Sequence, residues 1–346
     1  MDHPPVRSSV RLRHLAGELG LSASTVSRAL AGNPAVSLET RTAVEKAAST
    51  LGYTSPRRNV KRRKNSTRMI GLVVSDLHNR FMTLLLEFIH DALLESGYHV
   101  TLIIDPMNSM SEATTLSIFR PLIDGYLDGL ILGSVTLDTI VVQELQRLGA
   151  PLVLVARSLD APNIDIVEAD NMRGGAEAAR HLYELGHRRI GLAMGPANTS
   201  TSRDRAAGAI QFLQSVGLER DAIRVAYDAY TSEAGYSCTV QMLAEAHPVS
   251  AILAGNDTIA FGVLDAAMRM GIAVPTQLSV VGFDDVPFAA SPLIALTTIQ
   301  QPAQEMARTA ARRILDRIKN GPTSPPTRDV FPVQLVKRNS TAPPAA

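Results

Sequence analysis

Apolar positions in the first fifty residues recur at helical spacing. Leu12, Leu15, Ala16 and Leu19 define one face of a short helix, which Gly20 ends. A second helix starts at once. Ser22 can accept bonds from its first free N–H groups, and Val26, Ala29 and Leu30 turn inward. Ala23, Ser24, Thr25, Ser27 and Arg28 are left facing out. After the loop Ala31-Gly32-Asn33-Pro34, Ser37 caps a third helix with Val44, Ala47, Ala48 and Leu51 on one side and Gly52 at its end. Three such helices bury one small core and leave the second projecting, and the first two have helix-turn-helix spacing.

From Met69 the pattern becomes short apolar runs alternating with longer helical stretches. Ile70–Val74, Val100–Ile104, Leu127–Leu132, Leu152–Val155, Ile190–Ala193, Ala251–Ala254 and Ser279–Gly282 read as buried strands. Phe81–Ser96, Leu137–Leu148, Met172–Leu185, Arg205–Val216, Ser232–Ala246 and Thr258–Met270 read as intervening helices. This alternation predicts parallel sheets with right-handed crossovers, and the number of elements calls for two open-sheet lobes. The expected fold is thus an all-α helix-turn-helix head joined to an α/β core of two parallel-sheet lobes. The expected boundaries are a head at 1–54, a basic linker at 55–68 and a two-lobed domain at 69–340. Lobe 1 takes about 69–163 plus 297–327, and lobe 2 about 164–296 plus 328–340.

Charge sharpens the division. The net charge of the 346 residues is only +1, yet the first 68 carry thirteen Lys and Arg against four Asp and Glu. Six of the eight residues from Arg57 to Lys64 are cationic. A basic head on a mildly acidic body fits a polyanion-binding module joined to something else. The outward face of the second helix suits a DNA major groove: its short side chains permit close approach, its hydroxyls reach phosphates, and Arg28 can donate two bonds to guanine. The single cysteine, Cys238, excludes an internal disulfide and a cysteine-rich zinc site. No metal, cofactor or catalytic residue is expected. Neither an apolar leader nor an 18-residue apolar run is found, so the expected location is the cytoplasm, away from membranes.

Ligands of open parallel sheets bind beyond the carboxyl ends of the strands. The residues that follow the predicted strands include Asp76, Asn79, Phe81, Arg157, Arg203, Arg205, Asn256, Asp257, Asp284 and Asp285. Carboxylates, amides and guanidinium groups bond hydroxyls in pairs, and an aromatic face covers a sugar ring. The collection suits a carbohydrate.

The string T-V-S-R-A-L-A-G-N-P-A-V-S-x-x-T-R, then A-x-x-L-G-Y and I-G-L-V-V, resembles the LacI/GalR family of transcriptional regulators, whose core is periplasmic-binding-protein-like. The resemblance implies that Ala23, Ser24 and Arg28 read bases, while Ser22, Thr25, Ser27 and Asn33 contact phosphates. Arg57, Arg58, Lys61 and Arg62 become hinge contacts, with Arg62 where the family carries a leucine wedge. On the effector side it implies Asn79, Phe81, Arg157, Arg205, Tyr230, Asn256, Asp284 and Gln301. The implied function is a repressor that binds a pseudo-palindromic operator as a homodimer and is switched by a sugar or sugar derivative. Alternatives are a regulator that depends on a purine, nucleoside or protein corepressor, and a sugar-binding protein or enzyme on the same core. Against an enzyme, the dinucleotide, P-loop and nucleophile-elbow motifs are missing.

Overall fold

The computed structural model describes residues 12–30, 36–50, 66–104, 119, 122–123, 125–137, 141–160, 163–321 and 325–345. Two compact units divide the chain, Met1–Ser66 and Thr67–Ala346. In the first, helices α1 (Leu12–Glu18), α2 (Ala23–Leu30) and α3 (Leu38–Thr50) enclose Leu15, Ala16, Val26, Ala29, Val36 and Val44. Gly20, at φ +60°, makes the turn between α1 and α2, and the Leu21 N–H bonds back to the Ala16 carbonyl at 3.0 Å. Ser22 Oγ then accepts the Thr25 N–H at 3.1 Å, and Ser37 Oγ that of Thr40 at 3.2 Å. Both serines are therefore the helix caps expected.

The second unit contains two six-stranded sheets. Lobe 1 is built on β1 (Met69–Val74), β2 (His99–Ile104), β3 (Gly129–Leu132), β4 (Leu152–Val155), β5 (Asp165–Ala169) and β11 (Arg328–Phe331), in the order β11-β5-β4-β3-β1-β2 and all parallel. Lobe 2 contains β6 (Ile190–Met194), β7 (Ile223–Tyr227), β8 (Ala251–Ala254), β9 (Ser279–Asp284), β10 (Thr297–Gln300) and β12 (Gln334–Val336). Its order is β12-β10-β9-β8-β6-β7, with only β12 antiparallel. The helices of this second unit include α4 (Arg80–Leu94), α5 (Val141–Arg147), α6 (Asn171–Glu184), α7 (Ser200–Ser215), α8 (Ser232–Leu243), α9 (Asp257–Arg269) and α10 (Ala303–Asn320).

The expected lobe boundaries require correction. Thr297–Gln300 does not return to lobe 1 but pairs with β9, Thr298 opposite Gly282. Arg328–Phe331 does not begin lobe 2 but pairs with β5, Arg328 opposite Ile166. Asp165–Ala169 also belongs to lobe 1. The physical reason lies in the partners. Asp165 and Glu168 are buried and neutralised from elsewhere in lobe 1: Arg317 of α10 grips Asp165 with bonds of 2.5 and 2.9 Å, and Arg328 reaches Glu168 at 2.6 Å. Three short crossings join the lobes, at Asp170, at Gln301-Pro302 and at Pro332-Val333. The Asp170 N–H donates to the Phe331 carbonyl at 2.8 Å, so the first and third crossings are tied side by side.

Candidate functional site

Arg205 projects from the second turn of α7 into a place prepared for it by glycine. At Gly175 on α6 an added Cβ would overlap the Arg205 carbonyl, and at Gly208 on α7 it would overlap that of Met172. The two helices can therefore approach backbone to backbone, which seats Arg205 at 4% exposure. Its Nε donates to Asn171 Oδ1 at 2.8 Å and its Nη1 to the Gly255 carbonyl at 2.6 Å. Nη1 also lies 3.5 Å from Asp284 Oδ1, and the guanidinium sits 3.6 Å from the centre of the Phe283 ring. Gln301 Nε2 donates to the same Asp284 oxygen at 2.7 Å.

Asp284, at the carboxyl end of β9, holds φ +124°, outside the ordinary range of an L-residue. Burial pushes its carboxyl up to about 7, against the opposing pull of Arg205 and Gln301. Asp257 nearby is driven well above the usual carboxylate range, first by burial and then by Asp284. It accepts the Thr298 hydroxyl at 2.6 Å and the Val286 N–H at 2.9 Å, which makes it a tie between strands.

Tyr230 lies over Gly195, where any Cβ would meet its ring. Its hydroxyl is held by those of Thr201 at 2.6 Å and Ser202 at 2.7 Å near the start of α7. Arg157, half-buried after β4, donates Nη1 to the Val135 carbonyl at 3.2 Å and stands 5.7 Å from the centre of the Tyr230 ring. Loss of solvent pushes its pKa down, while Tyr230 and Asp76 pull it up. Asn256 caps α9, with Oδ1 accepting the Ile259 N–H at 2.9 Å.

Arg205, Asp284 and Gln301 are thus in direct contact, with Asn256 following the Gly255 that Arg205 holds, and Arg157 and Tyr230 form a pair that adjoins Gly255 through Gly195. Asn79 and Phe81 enter differently. Asn79 Oδ1 caps α4 by accepting the Phe81 and Met82 N–H groups, and Phe81 is 3% exposed within the apolar core. Arg203 forms its ion pairs with Asp160 and Asp204 rather than with the cluster.

Sequence reasoning does not single out Asn171, which follows a strand as Asp-Asn and fixes Arg205 while its own Nδ2 donates to the Ala169 carbonyl at 3.1 Å. Nor does it mark Ser134, buried after β3.

On the head, Ser22, Ser24, Ser27 and Arg28 are exposed, whereas Ala23 is half-buried against the small core and Thr25 is half-buried. Arg28 Nε donates to the Ser24 carbonyl at 3.3 Å. Arg41, absent from the sequence-based set, has a buried Nε without an acceptor among the described residues. Asn33, Arg57, Arg58, Lys61 and Arg62 lie outside the described residues.

Residues 11–55 match the model of bacterial regulatory proteins of the lacI family, and residues 179–341 that of a periplasmic binding protein-like domain. Similarity also runs the length of the chain: the transcriptional regulator MalR of Streptomyces coelicolor is 32% identical over 344 residues, covering 96% of this chain and 97% of its own. This chain belongs to the LacI family. The repressor CytR of Escherichia coli K12 is 31% identical, covering 96% of this chain and 97% of CytR. Among solved structures, a complex of the regulator CelR with cellobiose superposes with a TM-score of 0.75 at 30% identity, covering 96% and 99% of the two chains. The lac repressor dimer bound to operator and an anti-inducer gives 0.71 at 27%, covering 97% and 100%. The LacI-family chain is a DNA-binding transcriptional regulator with a helix-turn-helix head and an α/β core. Among its described residues no helix is long and apolar enough to cross a membrane.

Proposed function

We propose that this regulator is a cytoplasmic homodimeric repressor whose hold on a pseudo-palindromic operator is switched by a small sugar or sugar derivative. The supporting observation is the buried Arg205–Asp284–Gln301 cluster beyond the strand ends of lobe 2, together with the Arg157–Tyr230 pair, whose arginine feels the charge of Arg205. Paired amide, carboxylate and guanidinium groups beside an aromatic ring suit a polyol, and the relative CelR has been solved with cellobiose. In this reading Asn79, Phe81, Arg157, Arg205, Tyr230, Asn256, Asp284 and Gln301 surround the effector. Residues 1–54 carry the DNA-reading surface, with Ser22, Ala23, Ser24, Thr25, Ser27, Arg28 and Asn33. Arg57, Arg58, Lys61 and Arg62 of the linker 55–68 add phosphate contacts. Two heads address half-sites about 34–36 Å apart. The ligand is bound and released unchanged; the activity is control of DNA binding, not catalysis.

Thermal unfolding against a panel of sugars, sugar acids, sugar phosphates, nucleosides and purines tests this. A ligand at 100 times its Kd adds about 2.7 kcal/mol, and each kcal/mol moves the midpoint by roughly 2–4 °C in a chain of this size. The expected hit is a saccharide that also changes operator affinity in fluorescence anisotropy. A nucleoside or purine hit with no saccharide response would refute the sugar effector.

A further inference from the structure

Donors and acceptors around Arg157 do not balance. Its described hydrogen bond goes to a neutral carbonyl, Val135, and among the described residues no carboxylate forms an ion pair with it. Asp76 supplies the opposing field, but its oxygens are engaged in its own loop. Oδ1 accepts the N–H groups of His78 and Asn79, at 2.8 and 3.2 Å, and Oδ2 the Ser75 hydroxyl at 3.0 Å. Ser134, adjoining Val135, is 4% exposed, and its hydroxyl has no hydrogen-bond partner among the described residues. In lobe 2, Asn256 is 1% exposed and its Nδ2 likewise lacks a partner. Contacts connect the two sides: Arg157 faces Tyr230, Tyr230 covers Gly195, and Gly195 abuts Gly255, the residue before Asn256.

This chain of contacts therefore carries a half-buried cation and, among the described residues, two buried groups without partners, two of the three being donors only. A neutral sugar hydroxyl answers this poorly, because it brings no charge and needs an acceptor for its own proton. A carboxylate or phosphate accepts from several donors at once and supplies the missing negative charge. We propose that the effector is an acidic sugar, its carboxylate or phosphate on Arg157 with Ser134 and Asn256 donating to it, and its hydroxyls toward Asp284. This rests on the carbohydrate reading above and narrows it. Ser134 thereby becomes an effector-binding residue.

Isothermal titration of the full chain with matched pairs tests the idea: glucose against glucuronate and glucose 6-phosphate, and ribose against ribose 5-phosphate. The expected result is an acidic member binding at least ~30-fold more tightly than its neutral partner, with the two arms distinguishing carboxylate from phosphate. Arg157→Gln should weaken the acid by ~10–100-fold and the neutral sugar by a much smaller factor, so that the preference for the acid collapses, while Arg157→Lys recovers part of that preference. Should the glutamine variant not fold, falling affinity of the wild type for the acid with added NaCl, and none for the neutral sugar, carries the same information. A neutral sugar binding as tightly as its acid overturns this inference and leaves the carbohydrate reading standing. Binding of inorganic phosphate or a nucleoside without any saccharide overturns both, as does silence across the set.

Discussion

The substitution Asp284→Asn should remove one large contribution to the pH dependence of stability. Burial raises this carboxyl from 3.8 to about 7 despite Arg205 and Gln301. Between those values the folded chain keeps a proton that the unfolded chain has released. The resulting stabilisation is complete below about pH 4 and disappears as pH climbs through 7. A displacement of about three pH units at 1.36 kcal/mol each corresponds to about 4 kcal/mol across the full range. The amide that replaces the carboxyl cannot ionise, so the variant should gain on the wild type by about 3 kcal/mol between pH 4.5 and 8, or roughly 10 °C in midpoint. Thermal unfolding of both proteins across that range, compared as a difference, is the assay. His181 and His187, whose pKa values burial lowers, contribute equally to both curves and cancel. A difference that stays constant with pH, or that favours the wild type as pH rises, would refute the buried-proton account of Asp284.

Gly175→Ala should force α6 away from the Arg205 carbonyl and cost about 1–3 kcal/mol, with loss of effector response exceeding the loss of stability; urea denaturation and calorimetry read the two separately. On the head, Arg28→Ala should cost about 1–3 kcal/mol of operator binding and relax discrimination at one base pair, as measured by anisotropy on a set of operator variants. An equal loss on all sequences would make Arg28 a phosphate contact instead.

The capping serines, the apolar strands and the helical faces of the core were legible because each is written in a few adjacent residues. Strand β5 was not. Its D-I-V-E-A sequence buries two carboxylates whose arginines lie 152 and 160 residues further along, so locally it reads as a polar connection. The alternating exposure of β7, I-R-V-A-Y at a sheet edge, likewise weakened the apolar signal. β10 and β11 choose their sheets through register with β9 and β5, which composition does not record. The site was legible as a set of residue types beyond strand ends. Asn171 was not, since its importance comes from the one oxygen that it offers to Arg205.

Two of the three lobe crossings end in the proposed effector cluster. Asn171 begins the helix just past the first crossing and restrains Arg205. Gln301 is part of the second and restrains Asp284. The third is laced to the first through Asp170 and Phe331. Grip and pivot are therefore the same pieces of chain, as in tongs held at the rivet. A ligand held by Arg205 or Asp284 would pull directly on the crossings, with no relay of side chains between, so substitutions there should change ligand affinity and the angle between the lobes together.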